Sequence, residues 1–211
     1  MNINLLDNAE AKQLQQLIIE AEHIVICAHK SPDGDALGSS LAWKSYLNQI
    51  GKTDVTVCMP DAYPDFLQWL PEANTVLRYD KNPEKVQETF NRADLVCCLD
   101  FNQYARVEAM RSTLEGCKAK RILIDHHLEP QTDNAITISQ PNMSSTSEMI
   151  FYIISQLGGY NDMTKDCAQC IYCGMMTDTG GFTYNSTRPE IYFVIGQLLS
   201  KGIDKDNIYN R

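Results

Sequence analysis

The sequence lacks any long apolar run, and no stretch approaches the roughly 20 consecutive apolar residues that a membrane-spanning helix needs. It does not open on basic residues followed by an apolar segment and small residues, which is the pattern of a secretory leader. Internal repeats and low-complexity tracts are absent as well, and no linker-like segment interrupts residues 1–200. These absences predict an ordinary globular chain that is cytoplasmic and has no membrane partner.

Positive charge is also in short supply, with 18 Lys and Arg against 27 Asp and Glu and a formal net charge of −9. Sequence-independent binding of long nucleic acid requires a broad basic surface, so long double-stranded nucleic acid is not expected as a partner. A small phosphate ligand remains compatible with this charge, because divalent metal ions would neutralise a site rich in Asp.

The eight cysteines do not indicate a disulfide framework. Cys27, Cys58, Cys97 and Cys98 fall in apolar segments that read as strands, which favours reduced, buried thiols in a cytosolic protein. The C-x2-C-x2-C pattern over residues 167–173 imitates an iron–sulfur run. No fourth cysteine follows at a suitable spacing, and the segment reads as a helix, so core packing is the preferred interpretation.

Apolar, β-branched segments alternate with helical ones along most of the chain. This alternation predicts an α/β fold, with a mostly parallel sheet, right-handed crossovers and helices on both faces. The predicted strands cover residues 23–28, 54–59, 75–79, 94–99, 121–124 and 135–139, and the predicted helices include residues 9–22, 64–70, 83–91, 105–117, 145–157, 164–177 and 188–201.

Residues 23–47 hold the segment around which the chain is organised: a buried strand, a turn, and a helix. His29, Asp33 and Asp35 lie at the turn, where ligands bind in open α/β sheets. One imidazole and two carboxylates form a ligand set that suits Mn²⁺ or Mg²⁺ better than Zn²⁺. The alternative is that both acids only form the turn and cap the helix, as Pro-Asp-Gly-Asp favours.

Further Asp and His residues follow two other predicted strands, and one more Asp lies at the end of a predicted helix. The carboxyl ends of parallel strands share one edge of the sheet, and carboxylates packed together repel one another unless cations hold them. The convergence therefore favours a two-metal site over four separate caps. The further members are Asp100, then Asp125, His126 and His127, and finally Asp178.

Three motifs carry a resemblance to a known family: HKSPDGDALGS at residues 29–39, DHH at 125–127 and DTGGF at 178–182. In this order, with Asp100 between the first two, they resemble the DHH phosphoesterases, most of all the branch of nanoRNases and 3′-phosphoadenosine-5′-phosphate phosphatases. The resemblance covers nearly the whole chain. It implies a Mn²⁺-dependent enzyme with two ions, for which Mg²⁺ is the alternative metal.

The resemblance also implies a role for each residue. One ion would be held by His29, Asp33 and Asp100, and His127 would face the phosphate while Asp125 orients a histidine. Arg106 has two interpretations, a phosphate clamp or a solvated helix arginine. The second ion would be held by Asp35, Asp100, His126 and Asp178, with Asp100 bridging.

The function implied is hydrolysis of short oligonucleotides, of 3′-phosphoadenosine 5′-phosphate, or of both. The alternatives are another phosphohydrolase of this superfamily, such as a cyclic-dinucleotide phosphodiesterase or an exonuclease, and a non-catalytic nucleotide-binding module. The expected partner is a short oligonucleotide or nucleotide, and the oligomeric state stays open, with a homodimer as one alternative.

In the DHH family a C-terminal domain with a glycine-rich His motif usually closes over the metal cleft. The sequence shows no such motif before Arg211. We therefore expect residues 1–200 to form the metal-binding domain, residues 201–211 to start a linker, and the substrate-binding domain to lie outside this chain. The alternative is a minimal member of the family that lacks that domain.

Overall fold

The computed structural model describes residues 3–211 and confirms the α/β fold. Its six strands form one sheet in the order β3-β2-β1-β4-β5-β6, and every neighbouring pair is parallel. The strands are β1 (His23–Cys27), β2 (Asp54–Met59), β3 (Leu77–Arg78), β4 (Leu95–Leu99), β5 (Lys120–Asp125) and β6 (Ile136–Ser139). The strand order reverses between β1 and β4, the position at which doubly wound sheets bind their ligands.

Helices cover both faces of this sheet. They are α1 (Asn8–Glu20), α2 (Gly34–Gln49), α3 (Pro83–Arg92), α4 (Arg111–Gly116), α5 (Thr146–Gln156), α6 (Lys165–Asp178), α7 (Pro189–Ser200) and α8 (Lys205–Tyr209). The larger core joins one face of the sheet to α1, α2, α5, α6 and α7, and the smaller core joins the other face to α3 and α4. None of the helices within residues 3–211 is both long enough and apolar enough to cross a membrane.

The central strand β1 shows why an uninterrupted apolar run was needed. Ile24 and Ile26 belong to the larger core, whereas Val25 and Cys27 belong to the smaller one. Successive side chains of a strand point to opposite faces, so a strand that is covered on both sides buries every residue. All eight cysteines are free and buried, which agrees with the prediction of reduced thiols in the core.

The helices that shape the site begin at side-chain caps. Asp33 accepts the backbone N–H groups of Asp35 and Ala36 at 3.0 Å and so starts α2. Ser145 accepts the N–H of Glu148 at 3.0 Å and starts α5. These oxygens satisfy N–H groups that a helix leaves without partners in its first turn. The capping interpretation therefore holds for Asp33, whereas Asp35 lies inside α2 with a buried side chain.

Two of the predicted helices are wrong in extent. Residues 105–117 form a 3₁₀ helix (Tyr104–Met110) followed by α4, because Glu108 takes φ 40° and ψ −109° and interrupts the helix. The Glu108 carboxylate lies 2.6 Å from Lys30 Nζ, which ties this bend to the loop after β1. The helix predicted over residues 64–70 is a single 3₁₀ turn, Asp65–Leu67.

Candidate metal centre

The carboxyl ends of β1, β4 and β5 deliver their polar residues to one edge of the sheet. His29 follows β1, Asp100 follows β4, and Asp125 ends β5. These three side chains are almost completely buried, at 6%, 2% and 0% exposure. Because buried polar groups need partners, these side chains must face other polar atoms.

His29, Asp33 and Asp100 form a first group whose ligand atoms lie within 4.8 Å of one another. His29 Nε2 lies 3.5 Å from Asp100 Oδ2 and 3.9 Å from Asp33 Oδ1. His29 Nδ1 is 2.7 Å from the carbonyl oxygen of Lys30. A proton on Nδ1 that is donated to this carbonyl leaves the Nε2 lone pair directed at the two carboxylates, as a metal-binding imidazole requires.

Asp35, His126 and Asp178 form a second group, again within 4.8 Å. His126 Nε2 lies 3.2 Å from Asp178 Oδ2 and 3.9 Å from Asp35 Oδ2. Asp178 is the last residue of α6, so this helix brings the second carboxylate of the group to the edge of the sheet. The helix end and the strand end thus meet in one cluster, as the convergence argument predicts.

Asp100 stands between the two groups. Its Oδ2 faces His29, while its Oδ1 lies 3.6 Å from His126 Nε2. The backbone of Asp100 has φ +62°, in the left-handed region that residues with a side chain seldom adopt. Such conformations persist where the surrounding structure imposes them, and they gather at functional sites.

The electrostatics of the cluster differ from those of exposed side chains. Burial and the charges of Asp100 and Asp178 raise the pKa of Asp35 well above its ordinary value, and burial likewise raises the pKa of Asp178. Burial alone would lower the pKa of His126, but the hydrogen bond that His126 donates to Asp178 and the neighbouring carboxylate charges raise that pKa to about 10. The cluster therefore retains protons when no other cation is present.

Asp100 is the exception among these carboxylates. Burial opposes its ionisation, but the hydrogen bond and charge of His29 and the charges of the other two imidazoles outweigh burial and lower its pKa. The four carboxylates and two imidazoles fit divalent cations, because they supply hard oxygen donors with a few nitrogens and no thiolate.

His127 lies beside this cluster and is differently placed from His126. Its Nδ1 is 2.7 Å from Asp125 Oδ1, and its backbone N–H donates to Asp125 Oδ2 at 3.1 Å. Asp125 is fully buried, whereas the His127 side chain is 37% exposed. The ring is therefore held through one nitrogen at the wall of the site, which leaves Nε2 available to a ligand.

The comparison with known proteins adds a family to this geometry. The sequence model of the DHH family, N-terminal domain, matches residues 23–175. The chain belongs to the DHH family. This DHH domain resembles a bifunctional oligoribonuclease and PAP phosphatase, NrnA, of Thermus thermophilus, with 31% identity over 89% of this chain and 53% of the relative.

Two solved structures share the fold of this DHH domain. The crystal structure of an exopolyphosphatase-related protein from Bacteroides fragilis is 47% identical and matches with a TM-score of 0.95 over 98% of this chain and 61% of that one. The structure of an exonuclease RecJ bound to manganese is 16% identical, with a TM-score of 0.56 over 94% of this chain and 49% of that one. The DHH domain thus spans about half to three-fifths of the length of these proteins.

Arg106 lies outside the cluster. Its side chain is exposed, and its backbone carbonyl accepts the N–H of Lys30 at 2.9 Å, next to His29. The residue therefore sits near the rim of the site, in the 3₁₀ helix that follows Asp100. Both interpretations, a phosphate clamp and a solvated arginine, stay predictions.

The first turn of α5 lies at the site, although no sequence motif placed it there. Thr146, Ser147 and Glu148 are all fully buried against the site of this DHH domain. The segment S-S-T-S-E at residues 144–148 has the spacing of a capping box, in which a Glu accepts N–H groups at the start of a helix. That signal predicts where the helix begins, but it does not reveal that the same turn touches metal-type ligands.

Proposed function

We propose that this DHH domain is the metal-binding, catalytic part of a divalent-metal-dependent phosphoesterase that hydrolyses short oligonucleotides, 3′-phosphoadenosine 5′-phosphate, or both. The observation that carries the proposal is the position of Asp100. One of its carboxylate oxygens faces His29 and the other faces His126, which supports a role for this carboxylate as a ligand shared by two neighbouring ions.

The proposed ligands follow from the two groups. His29, Asp33 and Asp100 would hold one ion, and Asp35, Asp100, His126 and Asp178 the other. We propose Mn²⁺ as the preferred ion and Mg²⁺ as the alternative, because oxygen donors with one imidazole in each group suit these metals. Held by these residues, the ions would supply positive charge for the phosphate oxygens and for the activation of a water molecule.

His127 has a separate role in this proposal. The Nδ1–H of His127 donates to Asp125, and with a proton on Nε2 as well the ring would donate a second hydrogen bond to a phosphate oxygen. A donor that is already oriented stabilises charge as it develops in the transition state without reorganising at that moment. Arg106, at the rim, would contact the phosphate from the solvent side.

The substrate class is supported by the named relatives. NrnA of Thermus thermophilus is described as an oligoribonuclease and PAP phosphatase, and both activities break phosphate ester bonds of nucleotides.

The division into a domain over residues 1–200 and a linker from residue 201 also stays a proposal. Within the latter segment, residues 205–209 form α8 and Ile208 is buried.

A panel of phosphoesters, together with the phosphoanhydride polyphosphate, assayed with Mn²⁺ tests the function. It should include a dinucleotide, a five-residue oligonucleotide, 3′-phosphoadenosine 5′-phosphate, a cyclic dinucleotide and polyphosphate. We expect turnover that depends on added metal and is highest for the short oligonucleotides or for 3′-phosphoadenosine 5′-phosphate. Preference for the cyclic dinucleotide or for polyphosphate would reassign the substrate, and nucleotide binding without turnover would favour the non-catalytic alternative.

A further inference from the structure

The first turn of α5 lies directly on two of the proposed metal ligands. The backbone N–H of Thr146 donates to Asp35 Oδ2 at 2.6 Å, and the N–H of Ser147 donates to Asp35 Oδ1 at 2.8 Å. Helix N-termini favour anions, because the first N–H groups have no partner inside the helix. Both oxygens of Asp35 are thus fixed by main-chain groups of a residue pair distant in the sequence.

The side chain of Thr146 contacts the other ligand. Its Oγ1 donates to Asp100 Oδ1 at 3.0 Å, and this is the oxygen that faces His126. Thr146 therefore contacts Asp35 through its backbone and Asp100 through its hydroxyl. It is fully buried, so no surface water competes with either hydrogen bond.

This turn is itself held in place by an ion pair between the buried Glu148 and the partly exposed Arg188. The Glu148 carboxylate accepts the backbone N–H and the hydroxyl of Ser144, each at 2.8 Å. Arg188 Nη2 donates to both Glu148 oxygens, at 2.6 and 2.5 Å. Because Arg188 is the residue that precedes α7, the start of α5 is anchored to a second helix.

We propose that Thr146 is a positioning residue for Asp100, and that its hydroxyl sets the rotation of the carboxylate so that one oxygen faces each ion. The inference rests on the proposed two-metal site. A carboxylate without this contact can rotate, and a bridging ligand tolerates rotation poorly because two ions depend on it. Hydrogen-bonding partners that orient metal ligands typically change metal affinity by about 10- to 100-fold when they are removed.

The two contacts of Thr146 can be tested separately, because its backbone N–H contacts Asp35 and its hydroxyl contacts Asp100. Any residue at position 146 other than proline keeps the N–H that holds Asp35. Thr146→Val removes only the hydroxyl and preserves the branched shape, whereas Thr146→Ser keeps the hydroxyl and removes a methyl group. Comparing these two variants therefore distinguishes the hydrogen bond to Asp100 from packing.

Thr113 offers a matched control. It is 1% exposed, and its Oγ1 donates to Gln87 Oε1 at 2.7 Å, on α4 and away from the metal ligands. Thr113→Val thus removes the hydrogen bond of a buried threonine hydroxyl whose acceptor is a neutral amide instead of a carboxylate. Its effect on metal binding reports any general consequence of losing such a bond.

The test measures the affinity for Mn²⁺ of metal-stripped protein by calorimetry, together with the melting temperature of the metal-free form. For Thr146→Val we expect Mn²⁺ binding weaker by about 10- to 100-fold, with the Mn²⁺ concentration for half-maximal activity raised to match. Thr146→Ser and Thr113→Val should bind Mn²⁺ as the wild type does. If the valine variant does not fold, Thr146→Ala replaces it and is judged by the same criterion.

The outcomes are distinct. Wild-type Mn²⁺ affinity in the variant that lacks the hydroxyl overturns the inference while leaving the two-metal proposal intact. Equal weakening by Thr146→Ser also overturns it, since packing would then be the cause. A wild-type protein that binds no divalent ion overturns both the inference and the proposed function.

Discussion

Asp125 and His127 form a pair in which a fully buried carboxylate holds a partly exposed imidazole, with Asp125 Oδ1 2.7 Å from His127 Nδ1. The neighbouring His126 is instead surrounded by Asp35, Asp100 and Asp178. Two consecutive histidines therefore have different environments: one faces the carboxylate cluster, and the other is oriented at its wall. The proposed division between metal binding and phosphate contact follows from this difference.

His127→Ala should leave the metal content near the wild-type value while turnover falls by about 10²- to 10⁴-fold, the range typical for loss of a positioned proton donor. His126→Ala should lose an ion, because its Nε2 faces three carboxylates. Elemental analysis after gel filtration, combined with a turnover assay, checks both variants. Equal metal loss in the two would show that the roles of the imidazoles are not divided as proposed.

Asp100→Ala should lose both ions, because its Oδ2 faces His29 of the first group and its Oδ1 faces His126 of the second, so the proposed site of each ion loses a ligand. Asp94→Ala is the matched control. Asp94 lies at the other end of β4, where its Oδ2 accepts the N–H groups of Glu22 and His23. The control should keep two ions per chain, and an Asp100→Ala protein that also keeps two would make the bridging assignment wrong.

Metal binding should release protons, because His126 holds a proton that the ion must displace. In the folded, metal-free chain the pKa of His126 is about 10, above its ordinary value of 6.5. The stability that protonated His126 contributes to the metal-free chain is therefore complete below pH 6.5 and is lost as the pH rises towards 10. We expect Mn²⁺ to bind more tightly at pH 8 than at pH 6, and to raise the melting temperature more at pH 8.

Calorimetry at pH 7 in two buffers with different ionisation enthalpies measures the protons released. His23→Gln is the control, because His23 lies at the amino end of β1 and pairs with Asp54, away from the cluster. That variant should release as many protons as the wild type. Binding enthalpies that do not depend on the buffer would contradict the protonated state of His126.

The sequence predicts the sheet and the edge that carries the site, because both follow from local patterns. Apolar runs specify strands, and His29, Asp100 and Asp125 follow such runs directly. What it could not predict depends on contacts between distant segments. Asp35 meets Thr146 across a separation of 111 residues, and the bend at Glu108 meets Lys30 across 78. No local sequence pattern specifies these long-range contacts, so the sequence alone does not indicate the proposed role of α5 in orienting the Asp100 carboxylate.

The close packing of α6 beneath Asp35 gives the last prediction. A Cβ added to Gly174 would overlap with Ser147 Oγ and lie 2.8 Å from Asp35 Oδ1. Gly174→Ala should therefore push α5 or the Asp35 carboxylate aside, lower the free energy of unfolding by about 1–3 kcal/mol and weaken Mn²⁺ binding. Chemical denaturation and calorimetry measure the two effects.

Gly196→Ala is the control for that substitution, since Gly196 is also helical, in α7, and an added Cβ would meet no atom within 4 Å. There the change should stabilise the protein by about 0.5–1 kcal/mol, because alanine favours the helix and glycine opposes it. The same Gly-to-Ala change should therefore lower the free energy of unfolding at position 174 and raise it at position 196. Because packing alone distinguishes them, a stable Gly174→Ala protein with wild-type Mn²⁺ affinity would show that Asp35 does not depend on a close approach of α6.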